Sequence, residues 1–267
     1  IVALLAGLII IGGVKSIGHV AGVLVPIMAL FYFVAGCIIL ALHADKIPAA
    51  FQLIFVTAFS GQAAAGGFMG ATMMMAIQIG VARSIFSNEA GLGISSIAAA
   101  AAKTDLPARQ ALVNMTGALL STGIVCTVTG LVIVVSGLLG TTLPDGTLLN
   151  GAALAINAFE ISLSGGAYVV TIGQVLFAFT TIIAWAYYGE KCCEYILGER
   201  FIFPYRILYI LAIIPGAALK METVWLVADI ANALMVIPNL IALILLSKDI
   251  VFETNRFIEV ERKSAAL

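Results

Sequence analysis

Seven apolar segments follow one another along this chain, at roughly residues 1–14, 24–42, 64–102, 112–138, 168–188, 207–219 and 224–246. In hydrocarbon a backbone N–H or C=O finds no water, so it must be satisfied by the chain itself, and only helices and closed barrels meet that condition. Runs of about 20 apolar residues fit helices that cross a bilayer. The composition agrees: 62% hydrophobic and 10% charged, against about 25% charged in a soluble domain. The fold class predicted is an all-α integral membrane protein in contact with lipid. The stretch Ile47–Phe59 is too short to span and is expected at the interface or in a re-entrant position.

Several functions are excluded early. A net charge of −1 leaves no footprint for nucleic acid. Cys37 and Cys126 lie in apolar runs, and with Cys192 and Cys193 they form no zinc-type spacing. His19 and His43 belong to no HExxH pattern. No nucleophile–base constellation is visible, so neither an enzyme nor an organic cofactor is expected. The chain opens on Ile1 inside an apolar run, with no methionine and no charged n-region. That predicts a piece of a longer protein, N-terminally truncated, rather than a signal peptide.

Lysine and arginine set the orientation. Lys15, Lys103, Arg109, Lys191, Arg200, Arg206, Lys248, Arg256, Arg262 and Lys263 fall on one set of connections, and only Lys46 and Lys220 on the other. Ten against two places the first set and the C-terminus in the cytoplasm by the positive-inside rule. Residues 248–267 are then a cytoplasmic tail of mixed charge. The connection 140–167, free of Lys and Arg, faces outside and turns at Pro144-Asp145-Gly146. Tyr205 and Tyr209 are expected as headgroup anchors. The small residues Gly117, Ser121 and Gly130 are expected to allow close helix packing.

One polar break interrupts the apolar pattern: Phe86-Ser87-Asn88-Glu89-Ala90-Gly91-Leu92-Gly93. At membrane depth an unwound backbone is tolerated only where it is buried in protein or lines a cavity, and opposed half-helices build many transporter sites. Gly91 and Gly93 admit backbone conformations closed to other residues. A half-helix over 94–102 would present free N–H groups to an anion such as a carboxylate, and carbonyls freed from the first half-helix would suit a cation or an ammonium group. The alternative is a loop leading to a cytoplasmic helix. Arg83 and Glu89 flank the break and form a candidate gating or structural ion pair. Asp229 and Asn232 share a face and, with Gln62, Gln78, Asn114, Gln174 and Asn239, are read as interhelical hydrogen-bonding groups. Thr180 and Thr181 sit mid-span ahead of Trp185. They are either cation-ligating hydroxyls or threonines bonded to their own helix.

The strings Gly80-Val81-Ala82-Arg83, Phe86 to Gly93, Gln62-Ala63-Ala64-Ala65-Gly66-Gly67-Phe68, Phe179-Thr180-Thr181-Ile182-Ile183-Ala184-Trp185, Tyr187-Tyr188-Gly189-Glu190-Lys191-Cys192 and Pro238-Asn239-Leu240 together resemble the alanine/glycine:cation symporter family, also called the sodium:alanine symporter family. The resemblance covers essentially the whole chain. It implies a leucine-transporter-like inverted-repeat fold, here incomplete: the last two helices of the first repeat and all of the second, roughly the C-terminal 60% of a member. Residues 1–267 would form one transmembrane transporter domain. The function implied is sodium-coupled symport of small neutral amino acids, alanine or glycine, across the plasma membrane by alternating access. Proton coupling, a glutamine-type substrate or a non-transporting binding subunit are the alternatives. By resemblance, Phe86, Ser87, Asn88, Ala90, Gly91, Gly93 and Trp185 contact substrate and Thr180 and Thr181 bind Na+, while Arg83 and Glu89 stay a candidate gating or ion pair.

Overall fold

The computed structural model describes residues 1–59, 73–144 and 146–265. The string from Gln62 to Phe68 and the turn residue Asp145 lie outside the described residues. In chain order the elements are α1 (Val2–Ile11), α2 (Gly13–Leu42), α3 (Ile47–Phe59), α4 (Met73–Asn88), α5 (Ile94–Ala99), α6 (Pro107–Ala118), a π-helical stretch (Leu119–Cys126), α7 (Thr127–Ser136), α8 (Gly151–Ser162), α9 (Gly166–Leu197), α10 (Ile202–Ala218), α11 (Met221–Leu245) and α12 (Ser247–Ala265). Among the described residues five helical stretches are long and apolar enough to cross a membrane: Gly13–Leu42, Pro107–Ser136, Gly166–Leu197, Glu199–Ala218 and Met221–Leu245. The all-helical, multi-pass expectation holds.

The chain divides into two compact units, Ile1–Val81 with Ile124–Leu211, and Ala82–Gly123 with Ala212–Leu267. In the first, α2, α7, α8 and α9 close around Tyr32, Ile39, Val132, Ala155, Phe159 and Val170. The Tyr32 hydroxyl lies 2.9 Å from Thr129 Oγ1, which itself donates to the Val125 carbonyl at 2.8 Å. Tyr32 is therefore the donor, and both hydroxyls are satisfied. Lipid is as apolar as leucine, so such a core gains chiefly from close packing. The glycines that permit it are Gly36, facing Val128, and Gly173, whose Cβ would come 3.3 Å from the Tyr32 ring. A Cβ at Gly117 or Gly130 would meet nothing within 4 Å, so close approach is not made where the small-residue pattern placed it.

A second feature of this unit is a clasp. Arg206 Nε and Nη2 donate to the two oxygens of Glu190 at 2.7 and 3.0 Å, and Nη1 donates to the Ile11 carbonyl at 2.9 Å. That carbonyl ends α1 at a Gly12-Gly13 corner, where Gly13 takes φ +72 and a Cβ would meet Arg206 Nη2 at 3.0 Å. One residue before each partner of this pair, the Tyr205 ring lies over Gly189, filling the space a side chain there would need. Tyr205 and Tyr209 both pack against α9: the Tyr209 hydroxyl donates to the Ile182 carbonyl at 2.9 Å.

Three sequence expectations change. Lys15 lies in the first turn of α2, not in a loop between spans. The connection 140–167 keeps its turn, with Gly146 at φ +81 and its N–H on the Leu143 carbonyl at 2.9 Å, but it also holds α8. Ala155, Ala158 and Phe159 of α8 are buried, at the i, i+3, i+4 spacing of one helix face. The sixth span begins earlier than residue 207, because a 3-10 turn at Glu199–Phe201 runs into α10.

In the second unit, the later part of α4 leads through the break to α5 and α6, and α12 packs on α6 and on the end of α11. Arg109 ties α6 to the tail, bonding Asp105 at 2.7 Å and Glu261 at 2.8 Å. The tail is a 19-residue helix, exposed along most of its length.

Candidate functional site

The break begins where α4 ends at Asn88. Asn88 Oδ1 accepts the Ala90 N–H at 2.9 Å, an Asx-type closure that competes with continuation of the helix. The backbone then takes positive φ at alternate residues: Glu89 at 58, Gly91 at 78 and Gly93 at 81. Glu89 is the one non-glycine with positive φ among the described residues, a conformation uncommon for a side chain with a Cβ and concentrated at functional sites. Leu92 and Ile94 are buried between these turns. Ser96 Oγ donates to the Gly93 carbonyl at 2.5 Å, and the Leu92 N–H to the Glu89 carbonyl at 3.3 Å. A Cβ on Gly91 would meet nothing within 4 Å, so there is room at that position.

The second half-helix is shorter than its alanine-rich sequence suggests. α5 ends at Ala99 after six residues, and 100–102 fold into turns. So short a helix has little macrodipole. The positive end that α5 offers at its N-terminus is correspondingly small. The Gly91 carbonyl accepts a hydrogen bond from Asn239 Nδ2 at 2.9 Å.

Arg83 and Phe86, one turn apart on α4, meet α11. Arg83 Nη2 lies 2.7 Å from Asp229 Oδ2, and its guanidinium carbon stands 3.8 Å over the Trp225 ring. Phe86 meets the same ring edge-on, at 5.5 Å between centroids. Arg83 thus has an acid at contact distance in Asp229 on α11, and Glu89 has an interaction of its own. Two atoms of this ion pair, Arg83 Nη1 and Asp229 Oδ1, are buried without a hydrogen-bond partner. Ser87 and Ala90 are exposed within the chain.

Thr180, Thr181 and Trp185 belong to α9 in the other unit. Thr180 is buried and donates to the carbonyls of Leu176 and Phe177, both at 3.0 Å. Thr181, exposed, donates to Phe177 at 2.8 Å. A hydroxyl bonded in this way spends its hydrogen and keeps oxygen lone pairs. Trp185 is half-buried, its ring 6.2 Å from that of Tyr188.

Sequence reasoning missed Trp225 altogether, and it missed which partners Asp229 and Asn239 take. The available signal was a stripe: Trp225, Asp229, Asn232 and Asn239 fall within about 80° of one face of α11 at 3.6 residues per turn.

A model of the sodium:alanine symporter family matches residues 1–266. The chain belongs to that family. Similar proteins include the sodium/alanine symporter AgcS of Methanococcus maripaludis, 47% identical over 265 residues, covering 99% of this chain and 57% of the relative. An uncharacterized transporter of Haemophilus influenzae is 50% identical over 261 residues, 97% of this chain and 56% of its own length. A probable sodium/glutamine symporter, GlnT, of Bacillus subtilis is 37% identical over 243 residues, 91% and 49% of the two chains. The chain thus spans about half to three-fifths of the length of the curated relatives it matches. The family is one of cation-coupled amino-acid transporters rather than enzymes, and its membership agrees with the apolar helices in making this a multi-pass membrane protein.

Proposed function

We propose that this chain forms part of a sodium-coupled symporter for small neutral amino acids, alanine first and glycine next, in the cell membrane. The observation that carries the reading is the break itself: backbone held out of helical geometry at 89–93, with open space at Gly91. In hydrocarbon such a segment is tolerable only beside protein, water or a bound solute. Phe86, Ser87, Asn88, Ala90, Gly91, Gly93 and Trp185 are the residues assigned to the amino acid. Thr180 and Thr181 offer hard hydroxyl oxygens to Na+ with the lone pairs that their intrahelical bonds leave unused. Arg83, pairing with Asp229, and Glu89 gate access.

In this reading α4, the break and α5 are the broken first helix of the second of two inverted repeats, and alternating access follows from rocking around that point. Residues 1–267 form one transmembrane transporter domain, and 248–267 face the cytoplasm. Sodium moving down its gradient drives the amino acid inward because both must be bound before the site turns over.

The test is uptake of labelled alanine into vesicles holding a full-length polypeptide that carries these residues. Uptake should rise with an inward sodium gradient and collapse without it. Uptake indifferent to the gradient sinks sodium coupling. The likeness to a probable sodium/glutamine symporter favours one second reading, a larger amide substrate. Glutamine competing better than alanine would select it.

A further inference from the structure

α11 does more than lie beside the break. Its polar stripe runs about 21 Å from Trp225 to Asn239 at 1.5 Å per residue. The upper end of the stripe holds Arg83 and Phe86, and the lower end holds the glycines. Asn239 Nδ2 donates to the Gly91 carbonyl at 2.9 Å. The same carboxamide turns its oxygen toward Gly93: a Cβ built there would lie 2.7 Å from Asn239 Oδ1. The amide orientation follows from chemistry, since a carbonyl only accepts and the group facing Gly91 must be the NH2. One side chain thus engages two left-handed glycines, by a hydrogen bond at φ +78 and by filling the missing side-chain volume at φ +81. Pro238 precedes it inside the helix and withholds an N–H from the carbonyl of Leu234, so the backbone is least constrained where this contact is made.

We propose that Asn239 is a positioning residue for the transport site: it fixes the path of the backbone from Gly91 to Gly93, so that the space beside Gly91 is kept for the solute. The proposal rests on the reading of the break as part of the amino-acid site. It requires glycine at 93 for two separable reasons, the positive φ and the contact with Asn239.

The experiment has a structural arm and a transport arm. In purified protein, amide hydrogen exchange over residues 89–97 is compared between the native sequence and Asn239→Ala. The loss of one hydrogen bond predicts exchange faster by about fivefold, with other peptides unchanged. In vesicles, Asn239→Ala should raise the half-saturating alanine concentration by a similar factor and leave the maximal rate less affected. Gly93→Ala should abolish uptake, and Gly93→Ala/Asn239→Ala should restore part of it, because the second change removes the clash while the φ strain remains. Should Asn239→Ala fail to assemble, Asn239→Asp keeps the size and exchanges the donor for an acceptor, with the same expected direction. Unchanged exchange over 89–97, or a double variant no better than Gly93→Ala in an active transporter, overturns the proposal. If the native protein accumulates no amino acid, the transport reading falls, while the exchange arm still decides whether Asn239 holds the break.

Discussion

Among the arginine–carboxylate pairs that join helices in the described residues, two are built to opposite specifications. Arg206 in the first unit spends all three faces of its guanidinium, on both oxygens of Glu190 and on the Ile11 carbonyl, with side chains only 17% and 6% exposed. Arg83 in the second unit makes one contact with Asp229, leaves Nη1 and Oδ1 orphaned, and leans on the Trp225 ring, with side chains 33% and 41% exposed. A saturated, buried pair is costly to open, because each charge would be stranded. A pair carrying two unsatisfied atoms already bears part of that cost, about 1–3 kcal/mol for each buried orphan. The first pair holds a corner in place. The second can separate with less loss, as the proposed gating role requires.

The comparison can be broken at its strong end first. Glu190→Ala should destabilise the protein by about 3–5 kcal/mol, the penalty for an uncompensated buried charge, read as a fall in unfolding midpoint in detergent. Replacing Glu190 and Arg206 together by leucine and methionine should recover most of that; a double variant as unstable as the single would mean the loss was not electrostatic. Next is Gly189→Ala, which forces the Tyr205 ring aside for about 1–3 kcal/mol of overpacking. Tyr205→Phe should return a part of it, measured in the same assay. Smallest in stability is Asp229→Asn, expected below about 1 kcal/mol for a pair this exposed. Its effect should appear instead in transport, as a change in the rate of alanine uptake and in labelling of cysteines placed along α4. Arg83→Lys should follow the same pattern, losing about 0.5–1 kcal/mol of ring contact. A large stability loss from either change would place the two pairs in one class.

The apolar runs made the helices legible, and the octet from Phe86 to Gly93 made the break legible, because glycine and asparagine act locally through their own backbone. What stayed hidden was set by partners far along the chain. Arg83 and Asp229 are 146 residues apart, and Asn239 and Gly91 are 148 apart; no local pattern links them. The length of α5 was hidden for another reason: residues 100–102 are alanines with high helix propensity, which the fold overrides with turns. α8 was passed over because its buried face, Ala155, Ala158 and Phe159, holds one large side chain in a segment otherwise reading as an external loop. The threonines illustrate the converse. Their intrahelical bonds were foreseen as one of two alternatives, and both readings share the same hydroxyl oxygen.

The clasp at the α1–α2 corner has a consequence in time. Arg206 and the Ile11 carbonyl it holds are separated by 195 residues. At synthesis rates of about 5–20 residues per second, the corner waits about 10–40 s after it is made before its partner exists. Until then the Ile11 carbonyl lacks the guanidinium that holds it, and Glu190 emerges sixteen residues ahead of its counter-charge. The arginine therefore sets the order of assembly here: the α1–α2 corner is clasped only after α9 has been made.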